Sequence, residues 1–306
     1  MKTTRLLLRT LKVIPLILLG GCSALQVVNS VSKIYTAEVK ENIAFGQHPK
    51  LKYDLYLPDS ASEEFDTTPV IVFFYGGSWN RGDKSEYEFV GRRLASMGYI
   101  TAVPNYRLYP EVKYPDFLQD GAQSIAHLKT ELAKSQYQQY KPSDQFIMMG
   151  HSAGAYNAAM LALDARWLSA AGVDHEKSIK GLIGLAGAYN IYPIKDTDVQ
   201  PVFNHPNYPD QSQPINYSNQ RNAPTLILTP ESDTLVSIER NSVALHNALA
   251  AAGNQSRIEQ VESTDHVTLV GTLSPLLFFK GSTTKPIEAF IRDLHAQPQA
   301  NTASTN

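Results

Sequence analysis

The chain has 306 residues, 43% of them hydrophobic and 18% charged, with a formal net charge of −2. That balance suits one large globular unit and requires no second domain. Lys and Arg do not cluster beyond the first dozen residues, which leaves no basic face for nucleic acid, and the single cysteine, Cys22, excludes an internal disulfide.

At the start, Lys2, Arg5, Arg9 and Lys12 make a positive stretch, Val13 to Leu19 a short apolar run, and Leu19-Gly20-Gly21-Cys22 follows. The apolar run is too short to cross a bilayer. The segment resembles a bacterial lipoprotein signal ending in a lipidated cysteine; an ordinary secretory signal with an incidental cysteine is the other reading. The resemblance implies removal of residues 1–21, membrane attachment through Cys22, and an extracytoplasmic place in the cell envelope. Ser23 after the cysteine implies the outer membrane in a Gram-negative host. Residues 22–39 are then expected to be a tether, 40–296 the folded domain, and 297–306 a frayed polar tail.

Lys50 to Leu57 alternates polar and apolar residues, the pattern of a strand with one face in the core, and predicts an antiparallel hairpin at a sheet edge. Val70 to Tyr75 is continuously apolar, which suits a strand buried on both faces of a parallel sheet. It leads into Gly76-Gly77-Ser78-Trp79, where a glycine pair lets backbone N–H groups face an open cleft; a plain glycine turn would read the same way. With Gly82-Asp83-Lys84, this run resembles the His-Gly-Gly-Gly-Trp oxyanion loop of the esterase, lipase and formamidase branches of the α/β-hydrolase superfamily. Tyr75 replaces the usual His and Ser78 the third Gly. The resemblance implies that Gly77 and Ser78 supply oxyanion donors. If the third position needs a positive φ, Ser78 is strained by about a kcal/mol or more.

Ser85 to Met97 predicts a helix closed by Gly98, and Tyr99 to Pro104 a strand. Tyr106-Arg107-Leu108, Pro110, Pro115 and Asp120 resemble a connecting segment of the same hydrolases and read as structural. Phe117 to Ala133 is amphipathic, with Ile125, Leu128 and Leu132 on one face. The apolar run Phe146 to Met149 then passes through Gly150-His151-Ser152-Ala153-Gly154 into the small-residue run ending at Leu163. Strand, tight turn, helix is the context of a nucleophile elbow, with Ser152 exposed at the turn and the Ala153 N–H as a further oxyanion donor. A strand-to-helix turn with a capping serine is the bland alternative.

Gly181 to Gly187 predicts another buried strand, and its glycine spacing does not fit a dinucleotide-binding loop. Residues 188–222 lose periodicity and scatter Tyr189, Tyr192, Phe203, Tyr208 and Tyr217, as expected of a lid-like insertion or of a solvated crossover loop. Thr225 to Thr229 is the next strand, and Asp233 sits at its C-terminal end, where doubly wound sheets collect ligand-facing residues; Glu231 is the alternative acid. Ser237 to Ala252 predicts a helix, Arg257 to Val261 the last strand, and Pro286 to His295 a closing helix. Of the histidines after Asp233, His246 lies within a helical pattern and His295 near the tail, which leaves His266 in the loop after the last strand.

The resemblance implies an α/β-hydrolase fold: a mostly parallel, doubly wound sheet with helices on both faces and a short lid insertion. The resemblance covers Tyr53 to Leu294 and extends to carboxylesterases of the hormone-sensitive-lipase-like, feruloyl or acetyl esterase and arylformamidase groups. It implies a serine ester hydrolase of small or aryl/acyl esters that works through Ser152, His266 and Asp233. No metal or organic cofactor is called for, since His-Glu-x-x-His and cysteine ligand sets are absent from the sequence. An amidase or arylformamidase, or an idle binding protein of the same fold, are the alternatives.

Overall fold

The computed structural model describes residues 24–296, so the signal-like segment, Cys22 and the expected tail lie outside it. Eight strands form one sheet: β1 (Glu38–Ala44), β2 (Lys52–Leu57), β3 (Thr68–Phe74), β4 (Ile100–Pro104), β5 (Pro142–His151), β6 (Ile179–Leu185), β7 (Thr225–Pro230) and β8 (Ser256–Val261). Their spatial order is β1-β2-β4-β3-β5-β6-β7-β8. The β1–β2 and β2–β4 pairs are antiparallel and every later pair is parallel, so the expected edge hairpin opens a mostly parallel sheet. β3 and β7 are buried along their whole length, as the unbroken apolar runs required.

The long helices are α1 (Ala24–Ser32), α2 (Glu88–Ser96), α3 (Asp116–Leu132), α4 (Ala153–Leu163), α7 (Ala244–Ala251) and α9 (Thr284–Ala296). Shorter ones are α5 (Ala165–Ala170), α6 (His175–Ser178) and α8 (His266–Gly271). Successive side chains of a strand point to opposite faces. In β3 the ring of Phe73 meets Tyr87 just ahead of α2, while that of Phe74 packs against Gly121 of α3. Helices therefore cover both faces of the sheet.

Two expectations need correction. The tether predicted over 22–39 is a helix from Ala24 to Ser32, then a link into β1. Its Asn29 amide donates to the Ser85 carbonyl at 2.7 Å and its oxygen accepts the Phe89 N–H at 3.0 Å, which docks α1 on the start of α2. The helix predicted over 237–252 opens with a π turn, Glu239–Val243, before α7. Its contacts are long-range: Asn241 in that turn is buried and its side-chain oxygen accepts the N–H groups of Tyr189 and Asn190, both at 2.8 Å.

Candidate active site

The strand-to-helix turn at Ser152 is fixed by backbone contact. A Cβ on Gly150 would stand 2.2 Å from the Gly154 carbonyl oxygen, and one on Gly154 would stand 2.0 Å from that of Phe74. Only glycine fits either place. Ser152 itself has φ 56° and ψ −121°, a sparsely populated region for a side-chain-bearing residue, and its N–H is held by the Leu185 carbonyl at 2.9 Å. The strained turn puts the hydroxyl at the C-terminal rim of the sheet.

Three distant residues meet there. His266 Nε2 lies 2.9 Å from Ser152 Oγ, and His266 Nδ1 lies 2.7 Å from Asp233 Oδ2. The Asp233 side chain is 1% exposed. Burial alone would raise its carboxyl, but hydrogen bonds from His266 and from the N–H groups of Val236 and Leu235 outweigh it and hold the group below the usual carboxylate range. Glu231, the alternative acid, points elsewhere and accepts the Ser263 N–H at 2.6 Å. Asp265 caps α8 through the N–H groups of Val267 and Thr268, which anchors the helix that begins with His266.

The Gly76–Trp79 loop crosses in front of the serine. A Cβ on Gly76 would stand 3.1 Å from the Ser152 Cβ, so the two turns are in contact. Gly77, Ser78 and Trp79 all have positive φ, at 132°, 53° and 58°. The strain anticipated for Ser78 is therefore present. Trp79 shows what imposes it: the residue is 3% exposed, its indole donates to Asn157 Oδ1 at 2.9 Å, and its ring meets Tyr156 and Phe203 edge-on at 5.0 and 4.9 Å. Among the described residues no hydrogen bond takes the N–H of Gly77, Ser78 or Ala153, so all three remain available to a ligand.

Tyr75, which stands where the resembling loops have His, faces the core. Its ring stacks on Tyr106 at 4.7 Å and on Tyr87 at 5.7 Å, and its carbonyl accepts the Tyr106 hydroxyl at 2.8 Å. The far end of the loop is pinned by the buried Lys84–Asp54 pair at 2.7 Å and by Asn105, which accepts the Lys84 N–H at 2.7 Å and donates to Asp83 at 2.9 Å.

Sequence reasoning passed over His151, the variable letter of the elbow motif. It is buried, and its Nε2 contacts the His266 carbonyl oxygen at 2.8 Å, so Nε2 carries the proton. Its ring lies 5.0 Å from that of His266. Burial, reinforced by the neighbouring imidazole, pushes its pKa down to about 3, and the ring is neutral at ordinary pH. It buttresses the backbone that carries His266.

A cavity of about 680 Å³ opens over Ser152 and His266. Ile191, Ile194 and Val199 of the 188–222 insertion form one wall, and the insertion is rooted by Phe203, which is fully buried among Trp79, Phe117 and Tyr156. No cluster of His, Cys, Asp or Glu able to hold a metal ion exists among the described residues.

The BD-FAE family model matches residues 53–249, a span that includes Ser152 and Asp233 and stops short of His266. The chain belongs to the BD-FAE family. Its fold is the α/β-hydrolase fold, within the carboxylesterase-type superfamily. Relatives of this family member include an isoprenylcysteine α-carbonyl methylesterase of Arabidopsis thaliana, 31% identical over 54% of this chain and 38% of its own. A kynurenine formamidase of Danio rerio is 27% identical over 76% of each chain. The chain thus spans well under half the length of that methylesterase. Among solved structures, esterase B from Lactobacillus rhamnosis superposes with a TM-score of 0.69 at 17% identity, covering 88% of this chain and 92% of that one. A truncated carbohydrate esterase from gut microbiota gives 0.67 at 17% identity, covering 86% and 98%. Both show a shared fold.

Proposed function

We propose that the protein is a serine ester hydrolase that cleaves small or aryl/acyl esters through an acyl-enzyme. The observation that carries this is the unbroken chain of contacts from Ser152 Oγ through His266 to Asp233, at 2.9 and 2.7 Å. A serine hydroxyl is a weak nucleophile until a base takes its proton. His266 Nε2 is within reach to do so as Oγ attacks the carbonyl carbon, and ionised Asp233 holds the proton on Nδ1 and stabilises the imidazolium. The carbonyl oxygen becomes an anion, to which the N–H groups of Gly77, Ser78 and Ala153 are free to donate; losing one such donor costs about 3 kcal/mol. His266 then gives its proton to the departing alcohol as the C–O bond breaks. Water, deprotonated by His266, hydrolyses the acyl-serine and restores the hydroxyl.

Formamide hydrolysis by the same groups is the second reading, favoured by the formamidase relative that matches over three quarters of both chains. The cellular setting follows from the sequence: we propose attachment to the cell envelope through a lipid on Cys22, testable by metabolic labelling with an alkynyl fatty acid, which Cys22→Ala must abolish. For the chemistry, a fluorophosphonate probe is expected to label the wild-type protein on Ser152 and to leave Ser152→Ala unlabelled. Labelling that persists in Ser152→Ala would dismiss the assignment. Kinetics on short aryl esters beside N-formylkynurenine separate the two readings.

A further inference from the structure

The cavity over Ser152 carries more positive charge than the chain as a whole. Arg81, Lys195 and Arg240 line it, and apart from Asp233, which is engaged by His266, the acid facing them is Asp196. Among the described residues none of the three cations has a carboxylate within ion-pair distance. Asp196 turns toward its own backbone and accepts the Asp198 N–H at 2.9 Å. A net charge of −2 over the chain makes this grouping a local feature.

The two guanidinium groups are positioned by neutral partners. Arg81 donates to Asn80 Oδ1 at 3.1 Å and reaches Ser78 Oγ at 3.5 Å, which sets it beside the loop of free N–H donors. Arg240, in the π turn, donates to the carbonyl of Tyr192 at the start of the insertion wall. Each keeps most of its five N–H donors for something else, in the planar fork that matches a carboxylate. A cavity of about 680 Å³ is on the order of 10 Å across, comparable to the ionic screening length of about 8–10 Å, so a bound anion feels all three charges, more strongly at low salt.

We propose that this cavity selects esters that carry a carboxylate away from the scissile bond, held by Arg81 and Arg240 with Lys195 contributing attraction from the rim. The proposal rests on the ester-hydrolase reading and narrows its substrate class. The carboxylate sits on either the acyl or the alcohol part of the substrate, and the assay has an arm for each. Hydrolysis of mono-para-nitrophenyl glutarate is compared with that of para-nitrophenyl butyrate, and hydrolysis of para-acetoxybenzoate with that of its methyl ester. Each ratio of kcat/KM is divided by the same ratio for hydroxide, which removes intrinsic reactivity.

In at least one pair the carboxylate ester is expected to be preferred about tenfold at low ionic strength, and the preference to shrink as salt is added. The normalised ratio should fall severalfold in Arg81→Gln, Lys195→Gln and Arg240→Gln. Lys195→Gln is the variant least able to disturb the fold, because that side chain is exposed and makes no hydrogen bond or ion pair among the described residues. Ratios at or below one in both pairs, with the neutral esters still cleaved, overturn the proposal alone. So do ratios that neither salt nor any of the three substitutions changes. Failure to cleave any of the four esters, together with failure of the fluorophosphonate probe to label Ser152, overturns the hydrolytic reading beneath it.

Discussion

The two walls of the cavity are built differently. On the reacting side, Gly150, Gly154 and Gly76 press backbone against backbone, and residues of positive φ hold the turns at the ends of β3 and β5. On the insertion side, residues 191–199 hang from a few side chains. Gln213 accepts the N–H groups of Ile191 and Tyr192 at 2.5 and 3.0 Å, Asn241 accepts those of Tyr189 and Asn190, and Tyr208 stacks on Tyr192 at 4.2 Å. Geometry that must be kept to a fraction of an ångström is thus written into the main chain. On the proposed chemistry, geometry that would discriminate among substrates is written into replaceable side chains.

The sharpest way to break the comparison is at the reacting wall. Ser152→Ala should lower kcat by about 10⁶-fold with little change in thermal stability, since only a hydroxyl is lost. Asp233→Asn should come next, at about 10⁴-fold, because an amide donor in that place favours the wrong tautomer of His266. A loss below tenfold for Asp233→Asn would move the acid's role to another residue. Both are read from steady-state kinetics on an aryl ester.

His151 tests whether the reacting wall is also a stability element. Its folded pKa is about 3 against an ordinary 6.5, so the unfolded chain binds a proton in that window and the folded chain does not. Its stabilising contribution is complete above about pH 6.5 and is lost as the pH falls toward 3, at up to about 1.4 kcal/mol per pH unit. His151→Gln keeps an N–H donor for the His266 carbonyl and cannot titrate. Unfolding free energies from urea titrations between neutral and acid pH should therefore fall less steeply in the variant, by about 3 kcal/mol at pH 4.5. Parallel slopes would mean that His151 titrates in the folded state as it does in the unfolded one.

How much of this was legible in the residues depends on how local the cause was. The buried runs became β3, β5, β6 and β7 because an unbroken apolar stretch has few other solutions. The positions of Ser152, Asp233 and His266 at strand ends follow from chain order once those strands are placed. Helix α1 looks like a tether in sequence because its partners, Ser85 and Phe89, lie 56 and 60 residues from Asn29. In sequence Tyr75 shows only as a replacement of the usual His, because the tyrosines that hold it in the core, Tyr87 and Tyr106, reach it from other elements. The π turn has no marker of its own in composition, and His151 is silent because the elbow motif leaves its position open.

At the insertion wall the expected effects are smaller and of another kind. Gln213→Ala leaves the N–H groups of Ile191 and Tyr192 without their acceptor, which loosens the wall without touching Ser152. KM should rise about tenfold while kcat stays within about threefold, the signature of lost uniform binding. A fall confined to kcat would show that the insertion shapes the reacting groups directly.

Ser78→Gly is the finest test, because two opposing terms nearly cancel. The left-handed backbone at φ 53° costs a serine about 1–2 kcal/mol that a glycine does not bear. The glycine chain, however, loses about 0.4–1 kcal/mol more entropy on folding. The net gain is about 0 to 1.6 kcal/mol, a rise in melting temperature of up to about 3–6 °C for a domain of this size. Since the proposed donor is a main-chain N–H held in place by the buried Trp79, kcat should change by less than about threefold. Ser78→Val carries the opposite sign: a β-branched residue at that φ should lower the melting temperature and slow turnover together. A large loss of kcat in Ser78→Gly alone would place the contribution in the hydroxyl and its 3.5 Å contact with Arg81. In that case the reacting wall would depend on a side chain in the way the insertion wall does.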